Sequence, residues 1–208
     1  MIFADRVEAG RQLAQELERF RGPDVVVLGL PRGGVPVARQ IADALGAPLD
    51  VVVVRKLGAP SHQELAMGAI GEGGVRVVSR DIVRSVGATD QEVAQVEEAE
   101  RAELERRARQ FRGERVRADV NGKTAIVVDD GIATGATARA ACQVVRALGA
   151  AHIVLATPVA PPGLEHRLAD VADEFVCLDQ PRHFAAVGQF YANFDQTTDA
   201  EVIAALAR

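Results

Sequence analysis

The chain has 208 residues, 48% apolar and 25% charged, which excludes a disordered polymer and suits one ordinary domain with a full core. A net charge of −5 and a 4% aromatic content without Trp argue against bulk nucleic-acid binding and against an extended base-stacking platform. No apolar stretch approaches the roughly 18–20 residues of a membrane span; Asp5 and Glu8 break the start where a leader would be apolar, and the thiols Cys142 and Cys177 form no disulfide framework, so a reducing cytoplasm is expected.

Val7, Leu13, Leu17 and Phe20 recur at helical spacing and predict a helix over 4–20, ended by Gly22-Pro23. The β-branched runs 25–28 and 51–54 are too short for helices. They do not alternate, so they read as strands covered on both faces. A helix over about 35–45, stopped by Gly46, joins them. Residues 58–64 read as a loop, with His62 a surface residue. Thr89-Asp90-Gln91-Glu92 is a capping-box pattern and predicts a charged helix to about Phe111. Its acidic residues lead and its arginines trail, as the helix dipole favours. A solvated helix with i,i+4 ion pairs is the simplest reading of it, and a partner surface along the arginines is the other. Strands are predicted at 125–128, 153–156 and 174–178, with a helix over about 137–148, ended by Gly149, between the first two. The segment 180–208 lacks a strand pattern but gathers Phe184, Phe190, Tyr191 and Phe194. Alternating strands and helices predict one α/β domain over 1–208, a doubly wound, mostly parallel five-stranded sheet. Its core would span about 24–180, with a small hood from about 180–208 and the N-terminal helix as a further hood candidate. No repeat or composition shift marks a second independent domain.

The chemistry concentrates in one segment. An apolar strand ends in Asp129 and Asp130, and a loop of small residues, Gly131-Ile132-Ala133-Thr134-Gly135-Ala136, opens the helix at Thr137. A helix start exposes unpaired N–H groups at the positive end of the dipole and therefore suits an anion. Thr134 and Thr137 add hydroxyl donors. Two adjacent carboxylates cannot both bind the phosphate, because like charges repel; they better suit sugar hydroxyls, or a divalent cation held through water. An ordinary helix cap on Asp130 would account for one of the two acids and not for both. Asn121-Gly122-Lys123-Thr124 ends like a Walker loop but carries Arg117 where the opening glycine should stand, and it precedes a strand.

This segment resembles the 5-phosphoribosyl-1-pyrophosphate (PRPP) binding signature of the type I phosphoribosyltransferases: apolar run, two acids, small residues, then Thr-Gly-x-Thr. The order of elements over about 24–180 is similar to that family, and the whole chain resembles its uncharacterised bacterial "predicted phosphoribosyltransferase" members. The resemblance implies that Asp129 and Asp130 hold the ribose hydroxyls. It implies that the backbone of Ala133, Thr134, Gly135, Ala136 and Thr137, with the two threonine hydroxyls, holds the 5′-phosphate.

Gly29-Leu30-Pro31-Arg32-Gly33-Gly34 follows the first strand. An arginine among flexible backbone units at a strand's carboxyl end suits a diphosphate, although an exposed arginine on a tight turn is common. The resemblance makes this the pyrophosphate loop, with Arg32 and Gly33 at the leaving group. Arg55 and Lys56, read as the end of the second strand, are assigned to pyrophosphate too. In the family the residues around Val176, Leu178 and Asp179 meet the base edge beneath a hood, here the aromatic tail, for which simple packing onto the sheet edge is the other reading. The four histidines are scattered without zinc spacing, and both cysteines read as core.

The implied activity is a PRPP-dependent pentosyl transfer of nucleotide metabolism. It would use Mg²⁺, held by Asp129 and Asp130 through water, and a nitrogenous base as acceptor. Its rival is a PRPP- or nucleotide-sensing regulator that keeps the loops without turnover. No membrane partner is expected, and a homo-oligomer is left open.

Overall fold

The computed structural model describes all 208 residues as a five-stranded parallel sheet flanked by helices, with a three-stranded antiparallel sheet attached to one side. The main sheet has β1 (Val25–Gly29), β2 (Leu49–Val51), β6 (Thr124–Val128), β7 (His152–Val159) and β8 (Glu174–Asp179) in the order β2-β1-β6-β7-β8, every pair parallel. The unalternating valine and isoleucine runs are explained by burial on both faces. Val25, Val27, Ile126, Val128, Val154 and Ala156 pack against α1 (Arg6–Glu16) and α2 (Gly34–Leu45). Their neighbours Val26, Leu28, Val127, Ile153 and Leu155 pack against α5 (Ala136–Ala147) on the other face. A fully buried aliphatic side chain contributes about 1.5–3 kcal/mol, so this sandwich is the main source of stability. No helix is long and apolar enough to cross a membrane.

The 51–54 run is not one strand. β2 stops at Val51, Val52 donates to the Gly29 carbonyl at 3.1 Å, and β3 (Val54–Ala59) begins in the other sheet. Four valines signal buried extended backbone, but they cannot mark where it changes partner. The expected loop over 58–64 is the tip of a hairpin: β3 pairs antiparallel with β4 (His62–Gly71), which pairs with β5 (Arg76–Val78). This second sheet is absent from the sequence reading. Arg55 and Lys56 accordingly lie on β3 and do not end a strand of the main sheet.

After β5 come α3 (Arg80–Val86), capped by Ser79, and α4 (Asp90–Arg112), which begins with both halves of the Thr89/Glu92 capping box. The end of α4 is fixed by a buried ion cluster. The Arg112 guanidinium donates to Asp50 at 3.1 Å and to Glu72, while Asp50 also accepts from the backbone N–H of Ala118 at 2.8 Å. That cluster joins β2, the end of β4 and α4. The remaining helices are α6 (Leu164–Leu168) and α7 (Asp199–Leu206), the latter capped by a Thr198/Glu201 box.

α1 lies in the layer with α2, so it belongs to the sandwich. This N-terminal helix reaches the tail through its first residue, Arg6, which lies over Phe194. The residues just before it, around Phe3, meet the tail as well. Phe3 N–H donates to the Phe190 carbonyl at 2.8 Å, Ala192 N–H donates to the Phe3 carbonyl at 2.8 Å, and the Phe3 and Tyr191 rings pack 5.6 Å apart.

Candidate functional site

Strand register sets the geometry. Gly29 pairs with Val128 and Val51 with Gly29, so β1, β2 and β6 end level and their loops emerge side by side. Leu30 N–H donates to the Val128 carbonyl at 2.8 Å, which ties the first loop to the third. The Pro31–Arg32 peptide is cis. A Cβ on Gly33 would stand 2.1 Å from Asp130 Oδ2, so only glycine lets the Arg32 loop close against this acid.

Asp129 and Asp130 are both half-buried at the end of β6. Asp129 Oδ1 accepts from the Asp130 N–H at 2.9 Å. Burial, together with the Asp130 carboxylate, pushes the Asp129 carboxyl well above the usual carboxylate range. Asp130 Oδ2 accepts instead from Arg6 Nε at 2.8 Å. Asp130 is no helix cap: the N-cap of α5 is Gly135, at φ 86°, where a side chain would be strained. Having no side chain, Gly135 leaves the first turn of α5 without a cap, and Thr134 Oγ1 accepts only from Ala136 N–H, at 3.4 Å. Ala133, Thr134, Ala136 and Thr137 are exposed, and Gly135 is buried beneath them. The arrangement leaves donors of a helix start free for an anion.

Three cavities surround these loops. One of about 650 Å³ is lined by Pro31, Arg55, Lys56, Arg107, Glu100 and Thr137. A second, about 670 Å³, is lined by Thr134, Gly135, Ala136 and Arg139, and it shares Lys56 and Ala140 with the first. A third, about 310 Å³, is lined by Arg6, Arg32, Gly33, Asp130, Phe194 and Gln196. The cations expected at pyrophosphate are thus divided. Arg55 and Lys56 face the first cavity, paired with Glu100 at 2.6 Å and Glu64 at 3.9 Å. Arg32 faces the third and lies 3.5 Å from Asp199 of α7.

Val176 and Leu178 pack into the core on the α1–α2 face. The Asp179 carboxylate accepts from the Met1 amine at 2.7 Å. The tail aromatics are also engaged. Phe184 stacks on Phe190 at 5.4 Å, and Phe194 carries Tyr191 stacked at 5.0 Å and the Arg6 guanidinium 4.2 Å from its ring centre.

Two residues at the site, Arg107 and Arg6, and the role of a third, Tyr191, escaped the sequence reading. Arg107 shares the α4 face of Val96 and Glu100, all lining the first cavity, and this i, i+4, i+11 spacing was legible. Arg6 stands 124 positions from Asp130, and nothing local announces the contact. The Tyr191 hydroxyl donates to the Asp130 carbonyl at 2.5 Å, equally without local sign.

A family model described as the phosphoribosyl transferase domain matches residues 4–195. A Mycobacterium tuberculosis protein, named provisionally as a phosphoribosyl transferase in strains CDC 1551 and H37Rv, is 57% identical over 207 residues. That match takes in 100% of this chain and 47% of the relative, so the chain spans about half the length of the curated relatives it matches. The crystal structure of the TT1426 protein from Thermus thermophilus is 44% identical and superposes with a TM-score of 0.91, covering 99% of this chain and 98% of that one. The AQ2163 protein of Aquifex aeolicus shares the fold at 11% identity, with a TM-score of 0.52 over 88% of this chain and 76% of that one.

Proposed function

Because the chain belongs to the phosphoribosyl transferase domain family, we propose that it moves the 5-phosphoribosyl group of PRPP to a nitrogenous base and releases pyrophosphate. One observation carries this reading. The level ends of β1 and β6 set an acid pair and an uncapped helix start beside an arginine-bearing loop, the three anchors a phosphorylated sugar diphosphate needs. Asp129 and Asp130 accept the ribose hydroxyls. The loop Ala133–Thr137 takes the 5′-phosphate, far from the reacting carbon, so its binding energy orients the sugar. The diphosphate lies against the Arg32–Gly33 loop, with Arg55, Lys56 and Arg107 beside it in the first cavity. As the bond to pyrophosphate lengthens, the sugar becomes oxocarbenium-like and charge grows on the leaving oxygens, where these cations stabilise it. The nitrogen of the base then forms the new bond to the same carbon. Asp179 is the proposed polar contact at the base edge; Val176 and Leu178, packed in the core, act there only as backing.

No group of three or more His, Cys, Asp or Glu side chains converges on one point, so the chain has no protein cage for a metal. Two adjacent carboxylates beside a diphosphate site do suit Mg²⁺, which keeps its waters and takes one or two carboxylates plus phosphate oxygens. Asp129 and Asp130 would hold it through water, and it would supply neutralisation of the leaving diphosphate.

Pyrophosphate release from PRPP and Mg²⁺, screened against purine and pyrimidine bases, tests the proposal. Release with one base class supports it. Saturable PRPP binding without release for any base would favour a PRPP-sensing regulator instead, and absence of PRPP binding would remove both readings.

A further inference from the structure

The carboxylate assigned above to the sugar is held from behind by the two ends of the chain. Asp130 Oδ2 accepts from Arg6 Nε at 2.8 Å, and both side chains are only 13% exposed. The same oxygen faces Gly33, where no Cβ could fit. Its backbone is fixed as well, by the Tyr191 hydroxyl on the carbonyl oxygen at 2.5 Å. Oδ1 takes no donor from the chain.

Arg6 is itself immobilised. It sits in the first turn of α1, whose N-cap Asp5 accepts from Glu8 N–H at 2.8 Å. Its Nη1 donates to the Asp195 carbonyl at 2.6 Å, and its guanidinium lies over Phe194, on which Tyr191 stacks. The main-chain bonds between Phe3 and the segment Phe190–Ala192 lock this assembly together. Guanidinium, ring and phenol therefore form one preorganised backing for a single acidic residue, side chain and backbone, at the edge of the third cavity, and they leave one carboxylate oxygen without a donor.

We infer that Arg6 and Tyr191 are positioning residues for Asp130, setting the orientation in which its free oxygen accepts a sugar hydroxyl. This rests on the proposed function, and it gives the aromatic tail a different task from stacking on the acceptor. Asp129 lies next in sequence and repels Asp130. A cation against Oδ2 offsets that repulsion while leaving Oδ1 available.

The test uses two phosphorylated rings that differ only in their hydroxyls: 1,4-anhydroribitol 5-phosphate and tetrahydrofurfuryl phosphate. The 208-residue chain and the variants Arg6→Gln, Arg6→Lys and Tyr191→Phe are titrated with each, and thermal midpoints are recorded alongside. Wild type should prefer the hydroxylated ring by about tenfold or more, the value of one hydrogen bond to a charged group. Arg6→Gln should collapse most of that ratio, Arg6→Lys should restore part of it, and Tyr191→Phe should reduce it while keeping the packing. Affinity for the ring without hydroxyls should stay within about twofold throughout. A ratio equal to wild type in Arg6→Gln and Tyr191→Phe overturns the inference alone. A wild type that binds neither ring, or does not distinguish them, overturns the assignment of Asp129 and Asp130 to sugar hydroxyls, and the inference with it.

Discussion

β1 is buried along its whole length and β6 and β7 from their second residue onward, whereas β4 opens with four exposed residues, His62 to Leu65. The parallel sheet divides its apolar side chains between two helical layers. The antiparallel sheet rests on a thinner set, chiefly Leu57, Met67 and Ile70 against α4 and α3. The two halves supply different parts of the site. The acids and the anion loop grow from the parallel sheet, while Arg55 and Lys56 ride on the hairpin and are held by partly exposed ion pairs. On the proposed function, this difference predicts precision at the sugar and adaptability at the leaving group. In native-state hydrogen exchange the amides of β3–β5 should open at lower free energy than those of β1 and β6; equal protection would erase the contrast.

The strongest way to break it is to cut the tie between the halves. Arg112 is buried with Asp50 and Glu72, and its loss would strand two carboxylates. Arg112→Ala should cost about 3–5 kcal/mol in urea unfolding. A loss below about 1 kcal/mol would mean that apolar contacts alone join the sheets.

The acids of the parallel half come next. Asp130→Asn should weaken PRPP binding by about 1.5–3 kcal/mol, and the melting temperature should fall because Arg6 loses its counter-charge. Asp129 behaves differently because its folded-state pKa is raised, by burial first and Asp130 second. The folded state then holds its proton over a pH range where the unfolded chain has released it. Asp129 therefore detracts from stability increasingly as pH rises from the unfolded value, about 3.9, up through the folded one. Asp129→Asn should be at least as stable as wild type at neutral pH, and the gain should shrink as pH falls through that window. PRPP affinity of the wild type should rise with pH over the same range, and this dependence should flatten in Asp129→Asn. A variant that melts lower than wild type at neutral pH, with the pH profile unchanged, would count against this assignment.

The same contrast explains how much the sequence disclosed. Strands buried on both faces write themselves as unbroken runs such as 125–128, and capped helices announce themselves through Thr89 and Glu92 or Gly46. The second sheet is hidden because its close contacts need small residues. A Cβ on Gly68 would stand 2.0 Å from the Val77 carbonyl oxygen, and one on Gly71 would stand 2.2 Å from Val144. Glycines placed for close approach erase the alternation that marks a strand. α7 was legible through Thr198 and Glu201, but the surrounding aromatics drew the reading toward an irregular hood. At the site, the acid pair and the small-residue loop are contiguous in sequence and could be read directly. Arg6 and Tyr191 reach Asp130 only through the closing of the chain's two ends, which no local pattern encodes.

A smaller effect sharpens the leaving-group side. Arg55→Ala, Lys56→Ala and Arg107→Ala should each weaken Mg²⁺-pyrophosphate binding by about 1 kcal/mol, since the groups are partly exposed and screened. Binding of 1,4-anhydroribitol 5-phosphate should hardly respond to Arg55 or Arg107. Equal losses for both ligands at these two positions would show that the first cavity is not a separate diphosphate region.

The smallest effect is expected at the hairpin tip. Glu64 lines the first cavity but is 94% exposed, and its carboxylate lies 3.9 Å from Lys56 Nζ. Such a pair contributes little to stability, so Glu64→Gln should shift unfolding by no more than about 0.5 kcal/mol. Its charge nevertheless opposes any diphosphate entering beside Lys56. Removing it should raise Mg²⁺-pyrophosphate affinity by about twofold at low salt, and the gain should fade as the screening length drops toward about 8 Å near physiological ionic strength. Glu100 supplies the counter-case, since its carboxylate holds Arg55 at 2.6 Å with both side chains about two-thirds buried. Glu100→Gln also removes a negative charge from the cavity, but it releases the guanidinium that the charge orients, so affinity should gain less than in Glu64→Gln or should fall. If the two variants gave the same increase with the same salt dependence, only net charge would matter on this side. The hairpin would then act as a diffuse cationic wall and would not place Arg55 at a defined point.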